Sequence, residues 1–166
     1  MPTAWRRARS PCALAAVGAV GDLGDAGWAL PDCAGAGPKT AIKRLASLVN
    51  APRRLPDGPV RTALALLVEH DDPHGALKDA RITELEAAKA AWRAEFDRVV
   101  RTAPKMVGET VALIRFSSPA QVHPLVATTW ARRLAPRMVL AANDGYLGAG
   151  TMSFAVRGGA GAAPDP

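Results

Sequence analysis

Two aspartates set among glycines, Asp22 and Asp25 in the run Gly21-Asp22-Leu23-Gly24-Asp25, follow a stretch of small apolar residues. An apolar strand ending on a glycine-flanked carboxylate presents a hard oxygen ligand at a sheet edge, and glycine lets a metal or phosphate come close. The same pattern describes a turn or a helix-capping aspartate. A second group, His70, Asp71, Asp72 and His74, carries the atoms a transition metal takes. It follows an apolar helical run, so it also describes a helix end with a capping aspartate. His123, with Ser117, Ser118 and Gln121 nearby, lies where a strand gives way to a helix whose first N–H groups could meet a phosphate. A polar loop with a capping serine uses the same residues. Arg157 precedes Gly158 and Gly159, where a guanidinium could take a phosphate through two bonds or simply end a strand in solvent. Asn143 and Tyr146 could contact a base or sugar, although Asn143-Asp144-Gly145 is also an ordinary turn.

The elements that must position these residues follow from apolar spacing. Ala13 to Val20 is small and apolar without polar alternation, as expected of a strand or short helix buried on both sides. A Gly/Pro-rich stretch from Pro31 to Pro38 reads as a loop. Lys39 to Asn50 puts Ile42, Leu45, Leu48 and Val49 on one side of a helix. A second helix from Val60 to about His70 is expected to turn Leu64, Leu67 and Val68 inward, and Asp71-Asp72-Pro73 ends it before a short turn at Gly75 to Leu77. The longest helix is expected from Ile82 to Thr102, its apolar face carrying Ile82, Leu85, Trp92, Phe96 and Val99. Beyond Pro104, Val111 to Phe116 reads as a buried strand, Ala120 to Leu134 as an amphipathic helix and Met138 to Ala142 as a second buried strand. Thr151 to Arg157 then alternates Met152, Phe154 and Val156 against Thr151, Ser153 and Arg157. The first two strands should be parallel and the third antiparallel. Arg132, Arg133 and Arg137 flank a helix end, where cations suit the dipole without any ligand. The expectation is an α/β fold, with a helical connector followed by a small mixed β-sheet lobe with flanking helices.

Taken in order, these segments resemble the C-terminal part of DHH-superfamily phosphoesterases of the RecJ-like kind. Ala15 to Asp25 is similar to the glycine-rich strand that closes on a metal-binding aspartate, which aligns with Asp22. Leu48-Val49-Asn50-Ala51-Pro52-Arg53-Arg54 resembles the helix-ending Asn-Ala-x-Arg segment. Ala112 to Ala127, Val139 to Leu147 and Phe154 to Arg157 resemble the DHH-associated substrate-binding domain. The resemblance implies a catalytic-domain remnant over 1–30, a connector over 31–104, the substrate-binding domain over 105–159 and a disordered tail over 160–166. It implies hydrolysis of a phosphodiester or phosphoanhydride with manganese or magnesium, Asp22 being both catalytic residue and metal ligand. Ser117, Ser118, His123, Asn143 and Arg157 become the expected contacts to single-stranded nucleic acid or a phosphorylated nucleotide. Two departures count against catalysis. The residues before Gly21 contain neither the family's Asp-x-Asp motif nor its Asp-His-His triplet, and the glycine- and histidine-containing closing motif does not follow Arg157. One carboxylate cannot hold two ions. A binding module without hydrolysis, or an inactive truncated fragment, are therefore the alternatives to a partial phosphoesterase.

Bulk properties agree with a globular chain. Its 166 residues suffice for one domain or two small lobes, and 49% of them are hydrophobic, which excludes a disordered polar chain. Lys and Arg exceed Asp and Glu by 21 to 15, with arginines spread along the chain, so an anionic partner is compatible with the charge but not required by it. Two cysteines, Cys12 and Cys33, make no disulfide framework and suit a reduced, cytoplasmic protein. Arg6, Arg7 and Arg9 ahead of the apolar run Cys12 to Val20 imitate a secretory signal, but Gly18 and the glycine-aspartate run speak against one. No stretch approaches the ~20 apolar residues of a membrane-spanning helix.

Overall fold

The computed structural model describes residues 11–29 and 39–161. Cys33 and the residues from 162 onward, and with them most of the expected tail, lie outside the described residues, as do Arg6, Arg7 and Arg9. The chain forms two units. The first comprises residues up to Arg53 together with 57–89, the second residues 54–56 and those from Ala90 onward. This division differs from the one the resemblance implies, since the segment over 11–29 and most of the expected connector share one unit.

The first unit is helical, with α1 at Pro11–Leu23, a 3-10 turn at Gly24–Ala29, α2 at Lys39–Asn50, α3 at Val60–Glu69 and α4 at Pro73–Lys78. The first turns of α5, Ile82–Val99, complete it. The strand expected to close on Asp22 is a helix instead. Alanine is the strongest helix former, the run holds Ala13, Ala15, Ala16 and Ala19, and Pro11 opens it where a missing N–H does no harm. Burial follows the helical period, with Ala16, Val17 and Val20 inside, and Gly24 stops the helix in a left-handed conformation at φ 60°. The core joins those residues to Ile42, Leu45, Ala46 and Leu48 of α2, Ala63 and Leu66 of α3, Ala76 of α4, and Ile82 and Leu85 of α5. The expected inward face of α3 is corrected in part: Ala63 and Leu66 are buried and Leu67 packs partly buried against the core, while Leu64 is 62% exposed and Val60 and Val68 are also exposed. Packing in the core of this unit selects the face carrying Ala63 and Leu66 over the bulkier stripe.

The second unit carries the sheet, ordered β1-β2-β3-β4, from β1 at Lys105–Val107, β2 at Val111–Phe116, β3 at Met138–Asn143 and β4 at Ser153–Gly158. Helix α6, His123–Arg133, connects β2 to β3, which run parallel, and β4 returns antiparallel to β3. These are the expected directions. Strand β1, antiparallel to β2, is an addition to the sequence reading. Ala112, Ile114 and Phe116 of β2, Val139 and Ala141 of β3, and Ala155 of β4 form the inner sheet face. Val122, Val126, Ala127 and Ala131, with Trp92, Phe96 and Val99 from the later turns of α5, cover it. Stacked Trp92 and Phe96 rings, 6.1 Å apart, confirm both as core residues. The register places Val111, Leu113, Met138, Leu140, Phe154 and Val156 on the opposite face. No described helix is long and apolar enough to cross a membrane.

Candidate functional site

Asp22 sits in the last turn of α1 with its side chain 72% exposed, and its nearest cation is Arg53 at 4.0 Å. The glycine before it serves packing: a Cβ at Gly21 would run into the Asn50 carboxamide of α2. Asp25 accepts a 2.6 Å bond from Lys43 Nζ, and that bond holds its carboxyl below the usual range. Among the described residues no three His, Cys, Asp or Glu side chains come together as a metal site. A divalent pair needs several oxygen or nitrogen ligands per ion, so one solvated carboxylate on a helix does not fit the manganese or magnesium centre that the resemblance implies.

The His70 to His74 cluster resolves into structure. Asp72 caps α4, its Oδ1 accepting from the backbone N–H groups of His74 at 2.8 Å and Gly75 at 3.0 Å. His70 Nε2 bonds Asp79 Oδ2 at 2.9 Å instead of turning toward His74, whose residue is exposed. Asp79 is also clasped by Arg81, through Nε at 3.0 Å and Nη2 at 2.8 Å, and Arg81 reaches Glu69 at 2.5 Å. The Arg81 bonds, then the His70 bond, hold the Asp79 carboxyl well below the ordinary carboxylate range. The sequence reading passed over Asp79 and Arg81, because their partners come from the end of α3.

In the second unit the loops after β2 and β3 are locked together by Asn143, which is fully buried. Its Oδ1 accepts from Ser118 N at 2.9 Å and Gly145 N at 3.1 Å, and its Nδ2 donates to Ala120 O at 3.1 Å. Ser118 is buried too. Its hydroxyl donates to Glu95 at 2.7 Å and accepts from Ala120 N at 3.2 Å. Glu95 is held below its usual range first by Arg98 and also by Ser118, while Arg98 bonds Ser117 O at 2.9 Å. A Cβ at Gly145 would stand 2.6 Å from Ser117 Oγ and 2.8 Å from Ser118 N, so only glycine allows the two loops to approach this closely. Of the three expected contacts here, Ser117, Ser118 and Asn143, Ser117 alone is exposed. Gln121 joins the same framework through its backbone, its N–H donating to Arg54 O at 2.8 Å.

His123 opens α6 and is 6% exposed, with Nδ1 lacking any hydrogen-bond partner. The Tyr146 ring lies 6.2 Å away, tilted by 50°. Burial, and then the positive charge of Arg157, push the imidazole below its usual value of 6.5, so it is neutral at physiological pH. Ser153 Oγ on β4 is a second buried polar atom without a partner, and the sequence reading did not single it out. Because the unfolded chain takes up the proton first, His123 supports folding above 6.5, and that support is lost as the pH falls through the lower folded value. The urea midpoint of the second unit should therefore decline on acidification below about 6.5, and His123→Phe should flatten that decline; equal slopes in the two proteins would remove His123 as its source.

Arg157 lies on the inner side of β4 near its end, with an exposed side chain whose Nη1 donates to Val156 O at 2.7 Å. It borders a depression of about 260 Å³ lined by Thr128, Ala131, Arg132, Ala135 and the chain from Gly158 to Ala160. Among the described residues no carboxylate pairs with Arg157 or Arg132, whereas Arg81, Arg93, Arg98 and Arg115 all have one. Arg132 and Arg133 in the last turn of α6 offset the partial negative charge of that helix end. Of the expected contacts, then, Ser118 and Asn143 are held in a structural lock. His123 and Arg157 are electrostatically linked. Comparison with protein-family models and with curated proteins finds no match for this chain.

Proposed function

We propose that the second unit is a binding module for a phosphorylated ligand, single-stranded nucleic acid or a nucleotide, which it grips at the depression beside Arg157. One observation carries this reading: two guanidinium-bearing residues, Arg157 and Arg132, border the same depression without a carboxylate partner among the described residues. A planar, permanently charged guanidinium with spare donors is the group best matched to phosphate oxygens. The flanking Gly158 and Gly159 offer backbone without side-chain bulk. The phosphoesterase reading gains no comparable support, because among the described residues Asp22 belongs to no group of three or more His, Cys, Asp or Glu that could hold a metal.

Fluorescence anisotropy with a labelled oligothymidylate, and competition by a free nucleotide, tests the proposal. Affinity should fall steeply with salt, by a slope of about 0.7 per phosphate neutralised. Arg157→Ala should weaken binding about tenfold and lower that slope by about one contact. Salt-insensitive binding, or a variant that binds as the parent does, would sink the reading.

A further inference from the structure

Strand β4 forms one edge of the sheet, and its backbone groups can be assigned a direction. Gly159 N donates to Arg137 O across the β3–β4 pair at 3.0 Å. Since hydrogen-bonded residues alternate along an antiparallel pair, Ser153, Ala155 and Arg157 direct their N–H and C=O groups toward β3. Phe154, Val156 and Gly158 direct theirs outward. The Arg157 guanidinium bonding back to Val156 O fits that assignment, because it covers an outward carbonyl. The edge carries no proline, and its one charged side chain lies on the inner side of the strand. On the open face Phe154 is 66% and Val156 41% exposed. Natural edges are normally blunted by proline, charge or a covering segment.

We infer that β4 pairs antiparallel with β4 of a second copy of this chain, about a two-fold axis at Ala155. The choice of a second copy rests on self-complementarity in that register. Phe154 of each copy then lies opposite Val156 of the other, so the outward N–H and C=O groups of both residues bond in both directions. On the open face this makes two aromatic to β-branched cross-strand pairs, a favourable combination. On the inner face Ser153 falls opposite Arg157 of the other copy, so the two arginines do not meet. Met152, itself exposed, falls opposite Gly158. A two-fold interface of this kind joins two sheets into one and pairs both β4 edges, the Val156 carbonyl accepting the new bond on its second lone pair or in exchange for the Arg157 guanidinium. It stands independently of the phosphate reading.

Sedimentation of the full chain should give twice its mass of 17.3 kDa, with dissociation on dilution. Val156→Pro removes an outward N–H that no bond among the described residues uses, and should yield a monomer with an unchanged circular dichroism spectrum. As a second arm, Ala155→Cys in a Cys12→Ser, Cys33→Ser background places two thiols across the axis at a non-hydrogen-bonded pair, where Cα atoms stand about 4.5 Å apart. Mild oxidation should cross-link it, and Phe154→Cys in the same background should stay uncross-linked. A chain that sediments as a monomer throughout its soluble range overturns the proposal. So does a dimer that fails to cross-link through position 155.

Discussion

Asn143→Ala is expected to destabilise the second unit by about 2–4 kcal/mol, because it leaves two backbone N–H groups without partners, each costing about 1–3 kcal/mol, and removes one of two bonds to a buried carbonyl. The N–H groups are those of Ser118, which is buried, and Gly145, which is half-buried. The carbonyl is that of Ala120, which keeps its bond from Val122 N at 2.9 Å. Neither N–H gains a substitute from a methyl side chain. Urea denaturation followed by Trp92 and Trp130 fluorescence reports on this unit directly, since both rings belong to or border its core. The outcome also separates two roles. A residue that only touched a base or sugar would change affinity and leave the denaturation midpoint where it was. A loss below about 1 kcal/mol would mean that the lock is not what holds these loops.

Leu66→Ala should cost about 2–5 kcal/mol, the range for emptying a fully buried leucine site, whereas Leu64→Ala two residues earlier should stay within about 0.5 kcal/mol. Leu66 reaches the centre of the first unit among Ile42, Leu45 and Leu85, while Leu64 faces solvent. Thermal or urea unfolding followed by far-ultraviolet circular dichroism checks the pair. Equal losses would return α3 to the orientation that its leucine and valine spacing suggests.

How far the sequence showed this arrangement depends on the kind of residue that decides each element. Helix α2 and strand β2 have the expected limits, and α5, α6 and β3 differ only at their ends, because bulky apolar residues at regular spacing settle them. Helix α3 offers two apolar stripes, and the one carrying Ala63 was chosen by its neighbours, which local periodicity does not record. Helix α1 had no polar alternation to separate helix from strand, and the likeness to a metal-binding strand tipped it the wrong way. Strand β1 is three residues long, bounded by Pro104 and Gly108, too short to show a period. In β4 the apolar members of the alternation, Phe154 and Val156, turn out to be the exposed ones, and Ser153 and Ala155 the buried ones. At the site, residue type marks positions without deciding their tasks. Serine and asparagine after a strand suit a ligand contact and a loop lock equally, and only their partners distinguish the two. Glu95 and Arg98 look from the sequence like an ordinary helix-surface pair, yet both reach the loop at 117–118.

The Asn143 lock also bears on how these loops trade protons with solvent. The amides of Ser118 and Gly145 lie outside any strand, where exchange is usually fast, yet each donates to one buried carboxamide. Both depend on one side chain at the C-terminal end of β3, so an opening of that strand end that moves Asn143 frees the two together. The two loop amides should therefore exchange at matched rates, protected to the degree of that strand end.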